Sequence, residues 1–187
     1  MNIREKLYVA TIAEDAKTMA AKYGLGIEVN EFCTAVNMEA DFARWDKIAK
    51  DNMSVADRFI FHAPFNEIHP SAIDPLAREF AMKRLNQAYR LAASYGIKKM
   101  VVHSGFLPDV YFPVWFVDRS VEFWREFMAD KPQDFQLVIE NQLEPHADLL
   151  PELCQKIDHP QVGLCLDTGH ALYRSGEDIY HWAECFA

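Results

Sequence analysis

An α/β fold of parallel strands, each followed by a helix, is what this chain predicts, and three observations predict it. Short apolar runs of strand length alternate with amphipathic stretches of helical length. The alternation recurs at intervals of roughly 30 residues, enough for a strand, a crossover helix and two loops. Several apolar runs end on a single polar side chain, as buried parallel strands do where they deliver chemistry to their C-terminal ends. The stretch Val162 to His170, V-G-L-C-L-D-T-G-H, is the clearest case.

The chain has 187 residues, half of them hydrophobic and 13% aromatic, which is enough apolar material for the core of one domain over residues 1–187. Its net charge of −9 weighs against broad nucleic-acid binding, because that affinity comes mostly from Lys and Arg neutralising phosphates. No charged-then-apolar leader opens the chain and no apolar run reaches the length of a membrane span, so a cytoplasmic protein away from membranes is expected. Cys33, Cys154, Cys165 and Cys185 form no C-x-x-C pair and no zinc-finger spacing, and are expected as reduced thiols.

In order, Leu7 to Thr11 reads as the first strand and Ile12 to Tyr23 as its helix, stopped at Gly24. Leu25 to Phe32 is the second strand, with Leu25, Ile27 and Val29 on one face, and Met38 to Asn52 is the following helix. Arg58 to Pro64 is the third strand. Ile73 to Tyr95 is a long helix with Leu76, Phe80, Leu85, Ala88, Leu91 and Ala92 along one stripe, ended by Gly96. Lys98 to Gly105 is the fourth strand, followed by a loop rich in Phe, Tyr and Pro from Phe106 to Pro113. Val114 to Met128 is a helix, Phe135 to Asn141 the fifth strand and Ala147 to Ile157 its helix. Val162 to Asp167 is the sixth strand, and a last helix covers Glu177 to Phe186. Such a series builds either an open doubly wound sheet or a (β/α) barrel. No G-x-G-x-x-G opens the first helix and no G-x-x-x-x-G-K-[ST] is present, which favours a (β/α) barrel of TIM type with about six βα units.

Side chains alternate across a strand, so parity tells which residues share a face. Ile60 and His62 oppose Phe59 and Phe61; Val101 and His103 oppose Met100 and Val102. Val138 and Glu140 oppose Leu137 and Ile139, while Cys165 and Asp167 oppose Leu164 and Leu166. Four consecutive strands thus end in His62, His103, Glu140 and Asp167, on the parity that faces the inside of a barrel at its catalytic mouth. With His170 they form a mixed nitrogen and oxygen ligand set suited to zinc, manganese, iron or cobalt, whereas magnesium would suit the carboxylates alone. Taken singly, a histidine at such a place is more often a satisfied, half-buried side chain, and Asp167 equally suits the cap of a following helix. The repeated terminal position makes the joint reading the better one. His69, His146, His159 and His181 lack it and read as surface or loop residues.

The motifs F-H-A-P (Phe61 to Pro64), V-V-H-S-G (Val101 to Gly105), V-I-E-N (Val138 to Asn141) and C-L-D-T-G-H (Cys165 to His170) resemble the xylose isomerase-like TIM-barrel superfamily. That group includes sugar and sugar-phosphate isomerases and epimerases, and the apurinic-site endonucleases that carry three zinc ions. The resemblance implies that Glu140 and Asp167 are metal ligands. It implies that His170 is a substrate contact, as in the epimerases, or a ligand to a further zinc, as in the endonucleases. His62 and His103 match positions that bind extra zincs in the endonucleases and often face substrate in the isomerases. Family members continue through a seventh strand with a histidine and an eighth with a glutamate, so by this resemblance the barrel is C-terminally incomplete over residues 1–187.

A metal-dependent isomerase or epimerase of a small sugar or sugar phosphate is therefore expected, with zinc or manganese as cofactor and magnesium or cobalt as substitutes. Glu140 and His170 are its candidate catalytic residues, and His62, His103, Phe106 and Trp115 its candidate substrate contacts, the aromatic loop closing over a sugar face. A zinc-dependent apurinic-site endonuclease and a non-catalytic, ligand-binding barrel remnant are the alternatives. Nucleic acid and membrane are not expected as partners, whereas association between copies is expected through the unpaired edges an open barrel would leave.

Overall fold

The computed structural model describes residues 3–187. A short 3-10 turn (Ile3–Lys6) precedes β1 (Tyr8–Ala10), α1 (Ala16–Tyr23), β2 (Gly26–Val29), α2 (Ala35–Glu39), α3 (Phe42–Met53) and β3 (Phe59–His62). There follow α4 (Pro75–Ser94), β4 (Lys99–His103), α5 (Pro113–Met128), β5 (Gln136–Glu140), α6 (Leu149–Ile157), β6 (Val162–Cys165), α7 (Thr168–Arg174) and α8 (Ile179–Cys185). The architecture is α/β, with six strands that each lead into a helix, as the alternation predicts. Two compact units are distinguished: residues up to 66 with 87–100, and residues 67–86 with 101–187, so that α4 and β4 each contribute to both. Among the described residues, no helix is long and apolar enough to cross a membrane.

In the first unit β1, β2 and β3 pair in parallel, Val9 beside Ile27 and Ile27 beside Phe59. Its core is aromatic: Phe32 stacks on Phe61 with centroids 5.9 Å apart, and the Tyr95 ring lies 5.9 Å away on another side. Helix α1 begins at Ala16 rather than Ile12 because Thr11 is engaged elsewhere. Its N–H donates to Asn30 Oδ1 at 3.0 Å, and its hydroxyl accepts from Asn30 N–H at 2.9 Å and donates to Glu31 at 3.0 Å. The end of β1 is thereby pinned to the end of β2 before the chain can coil. Gly24, at φ +64°, closes the helix in the left-handed region. The single helix expected over Met38 to Asn52 is two: α2 buries Met38, and α3 restarts after Asp41 so that Phe42 reaches Phe32, 5.7 Å away.

In the second unit β5 and β6 pair in parallel from Leu137 beside Val162 to Glu140 beside Cys165. Helices α5 and α6 pack together, and α5 buries Phe116, Phe123, Trp124 and Phe127. Truncating an aromatic of this kind to alanine costs about 3–5 kcal/mol. Pro113 occupies the first turn of α5, where its missing N–H would have had no intrahelical partner. Helix α6 starts two residues later than expected because the Ala147 N–H is held by Glu177 Oε2 at 2.9 Å, with Ala147 buried beside Ala171 and Trp182. Helix α7 is an element the apolar pattern missed, and its first turn is organised by Asp167.

Candidate metal centre

The strand ends of the second unit converge on a cluster of nitrogen and oxygen donors. His103 and Glu140 are the last residues of β4 and β5, both buried. Asp167 lies two residues beyond the end of β6, which returns its side chain to the face of Cys165, the partner of Glu140 across the β5–β6 ladder. Asn141 extends that ladder with its side chain: Asp167 N–H donates to Asn141 Oδ1 at 2.8 Å, and Asn141 Nδ2 donates to the Asp167 carbonyl at 3.0 Å. Asp167 is therefore fixed in place by its backbone, independently of whatever its carboxylate does.

Both readings of Asp167 hold at once. Its Oδ1 accepts from the His170 backbone N–H at 2.6 Å, capping α7, and the cap sets His170 one turn along with its ring turned back to the strand ends. His170 Nδ1 lies 3.2 Å from Glu140 Oε1, 3.8 Å from Asp167 Oδ1 and 2.9 Å from the Asn141 carbonyl oxygen. His103 Nε2 lies 3.5 Å from the same Glu140 oxygen, and the two imidazoles meet edge to face with centroids 5.6 Å apart. Glu140 is thus the hub, with an imidazole on either side.

Glu140, Asp167 and His170 each offer a ligand atom within 4.8 Å of the others. The donor chemistry fits a divalent ion: nitrogen and oxygen ligands at about 2.0–2.2 Å around one centre stand roughly 3–3.5 Å apart, which is the spacing between Glu140 and its two histidines. The hydrogen bond to Glu140 raises the His170 pKa to about 9, reinforced by the negative charge of Asp167 and opposed by partial burial. In the metal-free protein His170 is consequently an imidazolium at neutral pH, whose proton occupies the space between carboxylates that a cation would compete for. His103 and Glu140 are buried whereas Asp167 and His170 are half-buried, so the cluster is more accessible on the side of α7.

His62 ends β3 in the first unit, buried, with Nδ1 2.7 Å from the Ala63 carbonyl oxygen and its ring edge-on to Phe65 at 5.7 Å. Phe106 is buried and packs edge to face on Phe116 at 5.1 Å. Trp115 is half-buried against Tyr111 at 5.1 Å. The Pro- and aromatic-rich loop lines a cavity of about 400 Å³ that includes Phe106, Pro108, Tyr111, Phe112 and Pro145. Three residues of the region were not singled out by sequence reasoning: Asn141, Ser104 and Glu144. The first two directly follow Glu140 and His103, and that adjacency is the signal that could have found them. Glu144 carried no signal, being one more acid in a loop.

A family model described as xylose isomerase-like TIM barrel matches residues 10–186. Among curated proteins, the probable endonuclease 4 of Mycobacterium ulcerans is 28% identical over 126 residues, covering 64% of this chain and 48% of that protein. The chain spans about half the length of the curated relatives it matches. Among solved structures, a Thermus thermophilus protein soaked with zinc chloride superposes with a TM-score of 0.63 at 22% identity, over 96% of this chain and 72% of that one. A D-tagatose 3-epimerase-like protein superposes with a TM-score of 0.63 at 18% identity, over 88% of this chain and 65% of that one.

Proposed function

Because the chain belongs to the xylose isomerase-like TIM-barrel family, we propose that it is the part of a divalent-metal-dependent isomerase or epimerase that carries Glu140, Asp167 and His170, acting on a small sugar or sugar phosphate. The observation that carries this reading is the sharing of the Glu140 carboxylate by His103 and His170, with Asp167 close by on the ladder next door. A bound zinc or manganese ion, for which magnesium or cobalt would substitute, supplies Lewis acidity that polarises the substrate carbonyl. Glu140 and Asp167 would hold it, with His103 and His170 as nitrogen ligands or substrate contacts. His62 is proposed as a further nitrogen ligand on its strand-end position alone.

The residues themselves account for proton movement. Glu140 is buried and needs a positive neighbour to stay ionised, and His170 provides one. Serving as ligand and base in turn, Glu140 can take the proton from the carbon beside the carbonyl, and His170, where it is a substrate contact rather than a ligand, can give its proton to the adjacent oxygen. Giving the Glu140 proton to the former carbonyl carbon, while the His170 imidazole takes the proton of the neighbouring hydroxyl, completes the isomerisation with no net change in either residue. Phe106 and Trp115 are proposed to form the apolar wall for a sugar face. A cytoplasmic location is proposed with this reading, in keeping with four cysteines that are all free thiols.

The test is metal analysis of purified protein followed by a screen of ketoses, aldoses and their phosphates with zinc or manganese. Bound metal lost in Glu140→Ala and Asp167→Ala, together with chelator-sensitive turnover, is expected; metal-free protein that takes up neither ion would end the proposal. A second reading, a zinc-dependent apurinic-site endonuclease, is favoured by the endonuclease 4 name of the curated relatives and disfavoured by the net charge of −9. Cleavage of abasic duplex DNA with zinc would move the assignment there. Metal or ligand uptake without turnover of either kind would leave a binding module.

A further inference from the structure

We infer that Glu144 and Ser104 are positioning residues of the metal centre, a bolt between the loop after β5 and the loop after β4 that holds Glu140 and His103 at ligand spacing. The inference rests on the metal reading above.

Glu144 is 1% exposed and Ser104 fully buried. A carboxyl group so placed is expensive unless donors surround it, and among the described residues no ion pair involves Glu144. Its donors are one hydroxyl from the loop after β4 and backbone N–H groups of its own loop. The Ser104 hydroxyl donates to Oε1, the Gln142 N–H donates to Oε2 at 2.6 Å, and the backbone N–H groups of Leu143 and Glu144 itself are turned to it. The segment from Gln142 to Glu144 therefore curls around its own side chain, in a nest of the sort that binds anions. Burial pushes the carboxyl pKa up and these donors pull it back.

What makes this more than a loop clasp is what Ser104 touches. Its hydroxyl also accepts from the Phe106 N–H at 3.1 Å, and its own N–H donates to the Glu140 carbonyl at 3.3 Å. Ser104 follows His103 directly, and Gln142 stands two residues after Glu140. The hydrogen bonds and the chain together close a ring through His103, Ser104, Glu144, Gln142 and Glu140. Across that ring His103 Nε2 and Glu140 Oε1 face each other at 3.5 Å. Neither Ser104 nor Glu144 is among the donors of the cluster, and their effect passes through the two donors they align.

Cobalt(II) titration of the 187-residue chain tests this, reading the dissociation constant and the visible d–d spectrum, with near-UV circular dichroism as the check on folding. Ser104→Ala removes the hydroxyl, and Glu144→Gln keeps the shape while losing one acceptor. Each is expected to weaken cobalt binding by roughly 10–100-fold and to change band position and intensity. A comparison variant, Leu153→Ala in the buried face of α6, lowers stability away from the site and is expected to keep the wild-type spectrum. Folded variants with wild-type affinity and a superimposable spectrum would overturn the inference, as would loss of the fold in both, which would make the pair a structural clasp. Wild-type protein that binds no cobalt would instead bring down the metal reading on which it stands.

Discussion

His170 presents one ring nitrogen to three oxygens, those of Glu140, Asp167 and the Asn141 main chain, and this crowd of acceptors is what keeps it protonated. Its folded pKa of about 9 lies above the ordinary 6.5, so the direction of the linkage is fixed. Below pH 6.5 the imidazole is charged in both folded and unfolded chains, and the pair contributes its full stabilisation. Between pH 6.5 and about 9 the unfolded chain releases its proton first, and the contribution drains away. Chelator-treated protein is therefore expected to lose urea midpoint across that window, and His170→Gln to lose less. Half-exposure of the ring makes the effect modest through solvent screening. Parallel curves for the two proteins would show that the pair does not hold the proton. Asp167 shows a related economy, since one carboxylate oxygen caps α7 while the group as a whole stays within reach of Glu140 and His170.

At the level of elements, the strand ends are held in line by short polar links between neighbouring loops. Asn141 ties β6 to β5, Thr11 and Asn30 tie β1 to β2, and Ser104 with Glu144 ties the loop after β4 to that after β5. Gly105, immediately after this last tie, sits at φ +74°, and a Cβ there would lie 2.7 Å from Pro70 Cδ and 3.0 Å from the Ile68 carbonyl oxygen. Both the backbone conformation and the space exclude a side chain. Gly105→Ala is expected to destabilise the chain by about 1–3 kcal/mol, read as a lowered urea midpoint at unchanged m-value, because left-handed strain and a backbone clash add. A midpoint within error of wild type would mean that the segment 68–70 yields without resistance.

For the whole molecule, the surface carries the consequence of its composition. Residues of β6 are half-buried along its length, and Leu172, Tyr173 and Tyr180 of α7 and α8 are exposed. A half-buried strand and exposed apolar side chains on the helices that follow it favour association with another chain. We propose that the 187-residue chain self-associates, so that light scattering should give an apparent mass rising with concentration; a constant monomer mass across the micromolar to hundred-micromolar range would count against it. The sequence by itself determined the order and type of the elements, because burial of a strand or a helix face imposes a period that each segment carries locally. Counting by twos also singled out His62, His103 and Glu140, the last residues of β3, β4 and β5, and Asp167, two residues past β6. Element ends escaped it where a distant side chain takes the backbone group: Thr11 for α1, Glu177 for α6. Only the tertiary structure decided that Glu140 lies between His103 and His170, that Asn141 carries Asp167, and that Glu144 is buried rather than on the surface. Those are contacts between segments tens of residues apart, fixed by the register of β5 on β6 and by loop hydrogen bonds, and no local period encodes them.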